Sequence, residues 1–422
     1  APSFANINME VATLLPGHPK QIDVLDPEGS VYIDNFEGTS SSIDLKFPAI
    51  QWSLSSTPRG AVNKFAQSLF PEGEKSDDLS NGMNRARLAW YTIEPTLVDP
   101  GTSVPDYVKN DSNQHYIRMV QQQEVFPNKS IVALQNILTT FDLGFYPKER
   151  GPYNFDVANV NNDGSLMNPQ TRWGGISRSI DNTDFEASNV EYIQFWVMDP
   201  FIGGRNPQGG SLYFNLGNVS EDVLRDSRLF FENSIPSPFD AAKLDTTVYG
   251  YVPKFQQQIT RAFDNDVAAR SLQDVGYDGL PDVSNIPAQQ SEQTKFGLFL
   301  SNLGKKIGTG NPAYQEALND PANDNYRFFR DSAYAGPNGD QISVLTRYKK
   351  YNSPQGNSPV TDPNASFPTS STTIPESEDI NRDNTLNEGE SYFQYRIDFT
   401  PNRMQVGTNN LINIQRSLVK LP

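Results

Sequence analysis

Residues 379–390, DINRDNTLNEGE, place oxygen donors at intervals that can hold a cation. Asp379, Asn381, Asp383 and Asn387 offer side-chain oxygens at positions one, three, five and nine. Thr385 offers its carbonyl at position seven, and Glu390 offers two carboxylate oxygens at position twelve. This is the spacing of a calcium-binding loop. Hard oxygen donors in this number favour Ca²⁺ over softer transition metals. Position six is Asn384, where such loops usually turn on glycine, and asparagine tolerates left-handed backbone better than most residues. A second and less complete set lies in DVGYDGLPD (274–282), where Asp274, Asp278 and Asp282 are spaced around Gly276 and Gly279. It has no carboxylate at position twelve. NVNNDGSLMNPQ (159–170) reads as a turn built on Asn-Asn-Asp-Gly.

Other chemistries find no footing. The chain has no cysteine, which excludes thiol catalysis and Cys-based zinc or iron–sulfur sites. His18 and His115 are the only histidines and no GxSxG elbow accompanies them, so both are expected to be structural or solvated. GTGNPA (308–313) imitates a dinucleotide loop without a preceding buried strand. With 50 acidic residues, any carboxylate pair could be nominated as a glycosidase site, so the choice carries no information. Of Trp52, Trp90, Trp173 and Trp196, the last sits in an apolar stretch and is expected in the core.

The loops need elements to position them, and the composition favours strands. Proline (31), glycine (29) and many Asn, Ser and Asp residues describe a loop-rich fold, while 25 Phe and 18 Tyr suit half-buried pleated surfaces. GSVYIDNFEG (29–38), parts of SIVALQNILTTFDLGFYP (130–147), GSLYFNLGN (210–218) and SYFQYRIDF (391–399) read as strands. VEYIQFWVMDPF (190–201) is apolar on both faces, the pattern of a strand buried on both sides, and IGGRNPQGG reads as a long hairpin loop joining it to 210–218. Phe255, Ile259, Phe263 and Val267 recur at helical spacing, with Pro253 at the first helical position. TKFGLFLSNLGKK and NPAYQEALND read as shorter helices.

The expected fold is therefore mainly β with some helix. It comprises a jelly-roll or galactose-binding-like β-sandwich over 1–252, a helical and loop-rich region over 253–348, a Ser/Thr/Pro-rich linker over 349–378, and the calcium-loop-like motif with a returning strand over 379–422. The net charge of −16 disfavours nucleic acid and anionic lipid as partners. No run is long enough for a transmembrane helix, and no signal peptide opens the chain.

Several oddly worded blocks resemble one family. NRARLAWYTIE, FYPKERGPYNF, RWGGISRS, DFEASNVEYIQFWVMDPF, LYFNLGNVSEDVLRDS, QDVGYDGL and DINRDNTLNEGESYFQYR, together with GSVYIDNFEG, are similar to the SprA (Sov) family. Those proteins are very large outer-membrane translocons of the Bacteroidota type IX secretion and gliding-motility system. The resemblance implies a fragment of a much longer β-barrel chain, standing outside the membrane on its extracellular or its periplasmic side. It implies as partners the remainder of that chain, a PorV-like barrel, a plug protein and secreted cargo, and it brings no catalytic residue. The expected role is a non-enzymatic cap or insertion, without direct membrane insertion of this segment. The alternative is a calcium-stabilised carbohydrate-binding module.

Overall fold

The computed structural model describes residues 42–62, 66–99, 104–128, 136–182, 184, 185, 188, 190–202, 208–255, 262–264, 266–334, 342–355 and 374–412. The chain divides into two units, Ala1–Asp44 with Asp181–Gln194, and Leu45–Ile180 with Phe195–Pro422. In the first, an Asx turn places the Asp184 N–H on Asn182 Oδ1 at 3.1 Å, and Val190 N–H bonds the Phe185 carbonyl at 2.8 Å. The expected strand at 29–38 lies outside the described residues.

Among the described residues the second unit contains ten short strands. They are β1 (Ser53–Leu54), β2 (Ala86–Tyr91), β3 (Val120–Gln121), β4 (Ile137–Leu138), β5 (Asp142–Arg150), β6 (Ile176–Ser177), β7 (Gly210–Asn218), β8 (Leu244–Thr246), β9 (Tyr251–Pro253) and β10 (Ser391–Phe399). All pair two by two and antiparallel: β1 with β6, β2 with β5, β3 with β4, β7 with β10 and β8 with β9. Strand and helix are mixed, as expected, but the described residues do not assemble the stacked layers of a sandwich. The alternation that marks 210–218 and 391–399 as strands corresponds to β7 and β10, which pair along their whole length from Gly210↔Phe399 to Asn218↔Ser391.

Two sequence readings give way here. Residues 190–199 form no ladder, and Tyr192 is 81% and Trp196 46% exposed, so neither the doubly buried strand nor the core tryptophan is found. A buried strand needs a ladder partner as well as apolar side chains, and among the described residues 190–199 has none. Strands buried on both faces are β2, where only Leu88 is less than fully buried, and the short β9. Pro253 does not start a helix either. It ends β9 opposite Leu244, and Phe255 is exposed. Residues 256–261 lie outside the described set, and the helical spacing survives only from Val267.

Four single-turn helices, α1 (Pro95–Val98), α2 (Asp106–Lys109), α3 (Gln114–Ile117) and α4 (Gln122–Val125), follow β2 and flank β3. Next come α5 (Val267–Gln273), α6 (Glu292–Lys295), α7 (Gly297–Ile307), α8 (Pro312–Asn319) and α9 (Val344–Arg347). Asn311 caps α8 by accepting from Ala313 N–H, and Pro312 occupies its first turn, where a missing N–H costs nothing. Phe299, Leu300 and Leu303 of α7 join Phe155, Tyr153, Tyr277 and Leu280 in the main core, where the Phe155 and Phe296 rings lie tilted with centroids 4.2 Å apart. A second core gathers Tyr91, Ile117, Val344 and Phe329, with Tyr348 stacked on Phe329 at 4.8 Å. No described helix is long and apolar enough to cross a membrane.

Candidate functional site

Between α5 and α6 the chain runs through DVGYDGLPD against the main core. Gly276 turns it with φ +69°, Tyr277 is buried, and the Asp278 carbonyl accepts Tyr251 N–H at 2.8 Å. The Asp278 carboxylate then faces inward, with Oδ1 held by Leu280 N–H at 2.9 Å. Ser291 caps α6, which places Glu292 in its first turn, and Glu292 Oε2 accepts Ala322 N–H at 2.6 Å. After α8, Asp320 Oδ1 accepts Asp324 N–H at 3.0 Å across a turn in which Asn323 is left-handed. The Tyr153 hydroxyl donates to Asp324 Oδ2 at 2.8 Å and accepts from Tyr277 N–H at 2.8 Å. Asp282 Oδ2 takes the Asn325 amide at 2.9 Å.

These bonds fix one oxygen of each carboxylate and leave the other. Asp278 Oδ2, Asp282 Oδ1, Glu292 Oε1 and Asp324 Oδ1 are buried with no hydrogen-bond partner. One oxygen each of Asp278, Glu292 and Asp324 lie within 4.8 Å of one another, as do one each of Asp282, Glu292 and Asp320. Glu292 belongs to both sets. Lys350 pairs with Asp320 at 2.7 Å, whereas Arg150 spends its guanidinium on the main-chain carbonyls of Asp320, Pro321 and Asn154. A cleft lined by Asp282, Asp320, Asn325 and Lys350 adjoins the second set.

The electrostatics follow from burial. Loss of solvent, reinforced by neighbouring carboxylates, pushes Asp278, Glu292 and Asp324 well above the usual carboxylate range. Burial raises Asp282 to about 6. Burial acts against ionised Asp320, but Lys350, Arg150 and Arg87 together outweigh it and hold Asp320 low. Groups raised in the folded state stabilise it fully only below their unfolded pKa, and that contribution is lost as pH rises through the folded value. With divalent cations removed, the melting temperature is therefore expected to fall between pH 5 and pH 8. A melting temperature that is flat or rises over that range would contradict the arrangement.

Of the second sequence set, the structure brings Asp278 and Asp282 into the cluster but not Asp274. The Asp274 carbonyl accepts from Gln355 Nε2 at 3.3 Å, and its carboxylate belongs to neither group of three. Sequence reasoning missed Glu292, Asp320 and Asp324. Glu292 looks like an ordinary first-turn acid behind a serine cap, and the Asp320–Asp324 pair at i, i+4 around Pro321 and Asn323 was the one available signal.

The 379–390 loop has a different geometry. Asp379 accepts Asp383 N–H (3.0 Å) and Asn384 N–H (2.9 Å), and Asn384 takes φ +65° at position six. Asp383 Oδ1 accepts Thr385 N–H at 2.8 Å. Glu221 reaches in from the segment after β7: its Oε1 accepts Ile380 and Asn381 N–H, and its Oε2 accepts Asn387 N–H and Nδ2. Glu390 Oε1 meets Ser220 N–H at 3.4 Å and Arg59 at 4.0 Å, and its Oε2 is buried without a partner. Both groups of three carboxylates close enough to share an ion lie elsewhere among the described residues. The 159–170 stretch is the expected turn, with Asp163 accepting Ser165 N–H and Val160 bridging Leu166. His115 is buried with Nε2 on the Asp199 carbonyl at 2.8 Å, a structural placement.

Against known proteins, residues 298–420 match the SprA_N family model, described as motility related/secretion protein. The match covers α7, α8, α9, the 379–390 loop and β10, and it makes the chain SprA-related over that stretch. No curated protein matches the chain.

Proposed function

We propose that this chain is a non-enzymatic architectural segment of a type IX secretion outer-membrane export channel, standing outside the membrane as part of a cap on the cell's exterior. The observation that carries the reading is the match of residues 298–420 to a motility and secretion family. The way the loops are held supports it. Carboxylates in this chain face main-chain N–H groups of other segments: Glu221 binds the 379–390 loop, and Glu378 binds residues 223–230. This chemistry stiffens a loop-rich body and performs no bond-making. Strong negative charge keeps such a surface hydrated beside passing cargo.

The finer expectations belong to the same proposal. A jelly-roll arrangement would make use of the face of β7–β10 on which Phe393 (76%) and Tyr395 (54%) are exposed. Calcium in the 379–390 loop, on Asp379, Asn381, Asp383, Thr385, Asn387 and Glu390, would brace the return into β10. PorV-like barrel, plug and cargo are the partners such a cap would meet.

Position outside the membrane is testable at Ser301, which is exposed on α7. In cells making the full-length protein, Ser301→Cys is expected to add labelling by a membrane-impermeant maleimide over that of the parent protein before any permeabilisation. Labelling that appears only after the outer membrane is opened would refute the exterior cap.

A further inference from the structure

We propose that Asp278, Glu292 and Asp324, with Asp282 at their edge, bind a structural divalent cation that joins the 274–282 loop, the start of α6 and the 320–324 turn. The donor chemistry selects Ca²⁺. All the side chains are hard oxygen donors, and no histidine or cysteine is available to draw zinc or a softer metal. Mg²⁺ demands near-octahedral geometry and keeps much of its water, which a buried carboxylate set does not accommodate.

Proximity of acids is not enough to make a site, and the second observation is their unpartnered oxygens. Asp278, Glu292 and Asp324 are 1%, 0% and 0% exposed, and each keeps one oxygen with no partner. No Lys or Arg among the described residues pairs with any of these three. Calcium–oxygen bonds of about 2.3–2.6 Å allow ligands on opposite sides of one ion to lie about 5 Å apart. The three oxygens lie within 4.8 Å of one another, inside that limit. The partnered oxygens complete the design, because Leu280 N–H, Ala322 N–H and the Tyr153 hydroxyl orient the three carboxylates as outer-shell groups orient metal ligands. Asp282 and Asp320 line the adjoining cleft, which gives the ion a way in. A cation also removes the repulsion among the three charges, which burial makes severe.

The test uses the purified chain, freed of metal by chelation. At neutral pH, 1 mM Ca²⁺ is expected to raise the melting temperature by roughly 5–10 °C, with a smaller effect of Mg²⁺. Tb³⁺ should give tyrosine-sensitised emission, since Tyr153 bonds a ligand directly, and Ca²⁺ should displace it. Asp324→Asn and, separately, Glu292→Gln are expected to weaken Ca²⁺ binding at least tenfold, while Glu390→Gln in the 379–390 loop leaves this response in place. Should either amide variant fail to fold, Asp282→Asn at the edge of the site and Glu390→Gln decide: the response must weaken in the first and persist in the second. Melting and emission unchanged by metal would overturn the proposal. So would a full response in both amide variants, or a response lost only in Glu390→Gln, which would place the ion in the other loop. None of these outcomes bears on the maleimide result, so the two readings fail independently.

Discussion

Replacing Glu378 by alanine is expected to cost about 3–5 kcal/mol of folding stability in chemical denaturation of this chain. Glu378 is 1% exposed and works as an acceptor for three main-chain donors. Oε1 takes Val223 N–H at 3.0 Å and Leu224 N–H at 3.4 Å, and Oε2 takes Phe230 N–H at 3.2 Å. The Glu378 N–H itself bonds the Phe230 carbonyl, so the residue clamps the 223–230 loop to the strand-like stretch through Ser377. Alanine would leave three donors beside Val223, Leu224 and Phe230, all buried, without an acceptor. Glutamine keeps one acceptor oxygen but turns an amide N–H toward the remaining donors, so Glu378→Gln should lose an intermediate amount, about 1–3 kcal/mol. A loss below about 1 kcal/mol in the alanine variant would show that the loop does not depend on this carboxylate.

The second large effect is expected at Gly276. A Cβ built there meets Asp324 Oδ2 at 2.2 Å and the Tyr153 hydroxyl at 3.0 Å, and φ is +69°. Gly60 is the natural control, because φ is +68° but nothing lies within 4 Å of its Cβ position. Gly60→Ala should therefore show only the backbone cost of about 1–2 kcal/mol. Gly276→Ala should add the displacement of Asp324 from the Tyr153 hydroxyl, for a total of about 3 kcal/mol or more. It should also abolish the calcium response, since the displaced carboxylate is a ligand. Equal losses in the two variants would mean that Asp324 yields freely and that its position is not set by this contact.

Much of the local structure was legible because its causes are local. Period-two alternation marked β7 and β10, Asn311-Pro312 marked the start of α8, and Asn-Asn-Asp-Gly marked the turn at 161–164. Asn384 at position six of the cation-like loop takes the left-handed backbone that its type tolerates. The errors have a common source. Residues 190–201 carry the composition of a buried strand, but burial needs a partner strand, and among the described residues none ladders with them. Pro253 has the right spacing to open a helix, yet pairing with Leu244 claims it for a strand end.

The sequence by itself marked β7, β10, α7, α8 and the turn at 161–164, though not the fate of 190–201 or of Pro253, and its block-wise wording pointed to a secretion family that the match over 298–420 supports. Those properties depend on side-chain type and near-neighbour spacing. Only the tertiary structure decided which carboxylates act together. Asp278 meets Glu292 and Asp324 because α6 and the turn after α8 pack on the same core around Tyr153 and Tyr277, and Asp274, closer in sequence to Asp278, is left outside. Spacing along the chain governs a site made by one loop. A site made by three segments is governed by how the core packs, and no interval in the sequence records it.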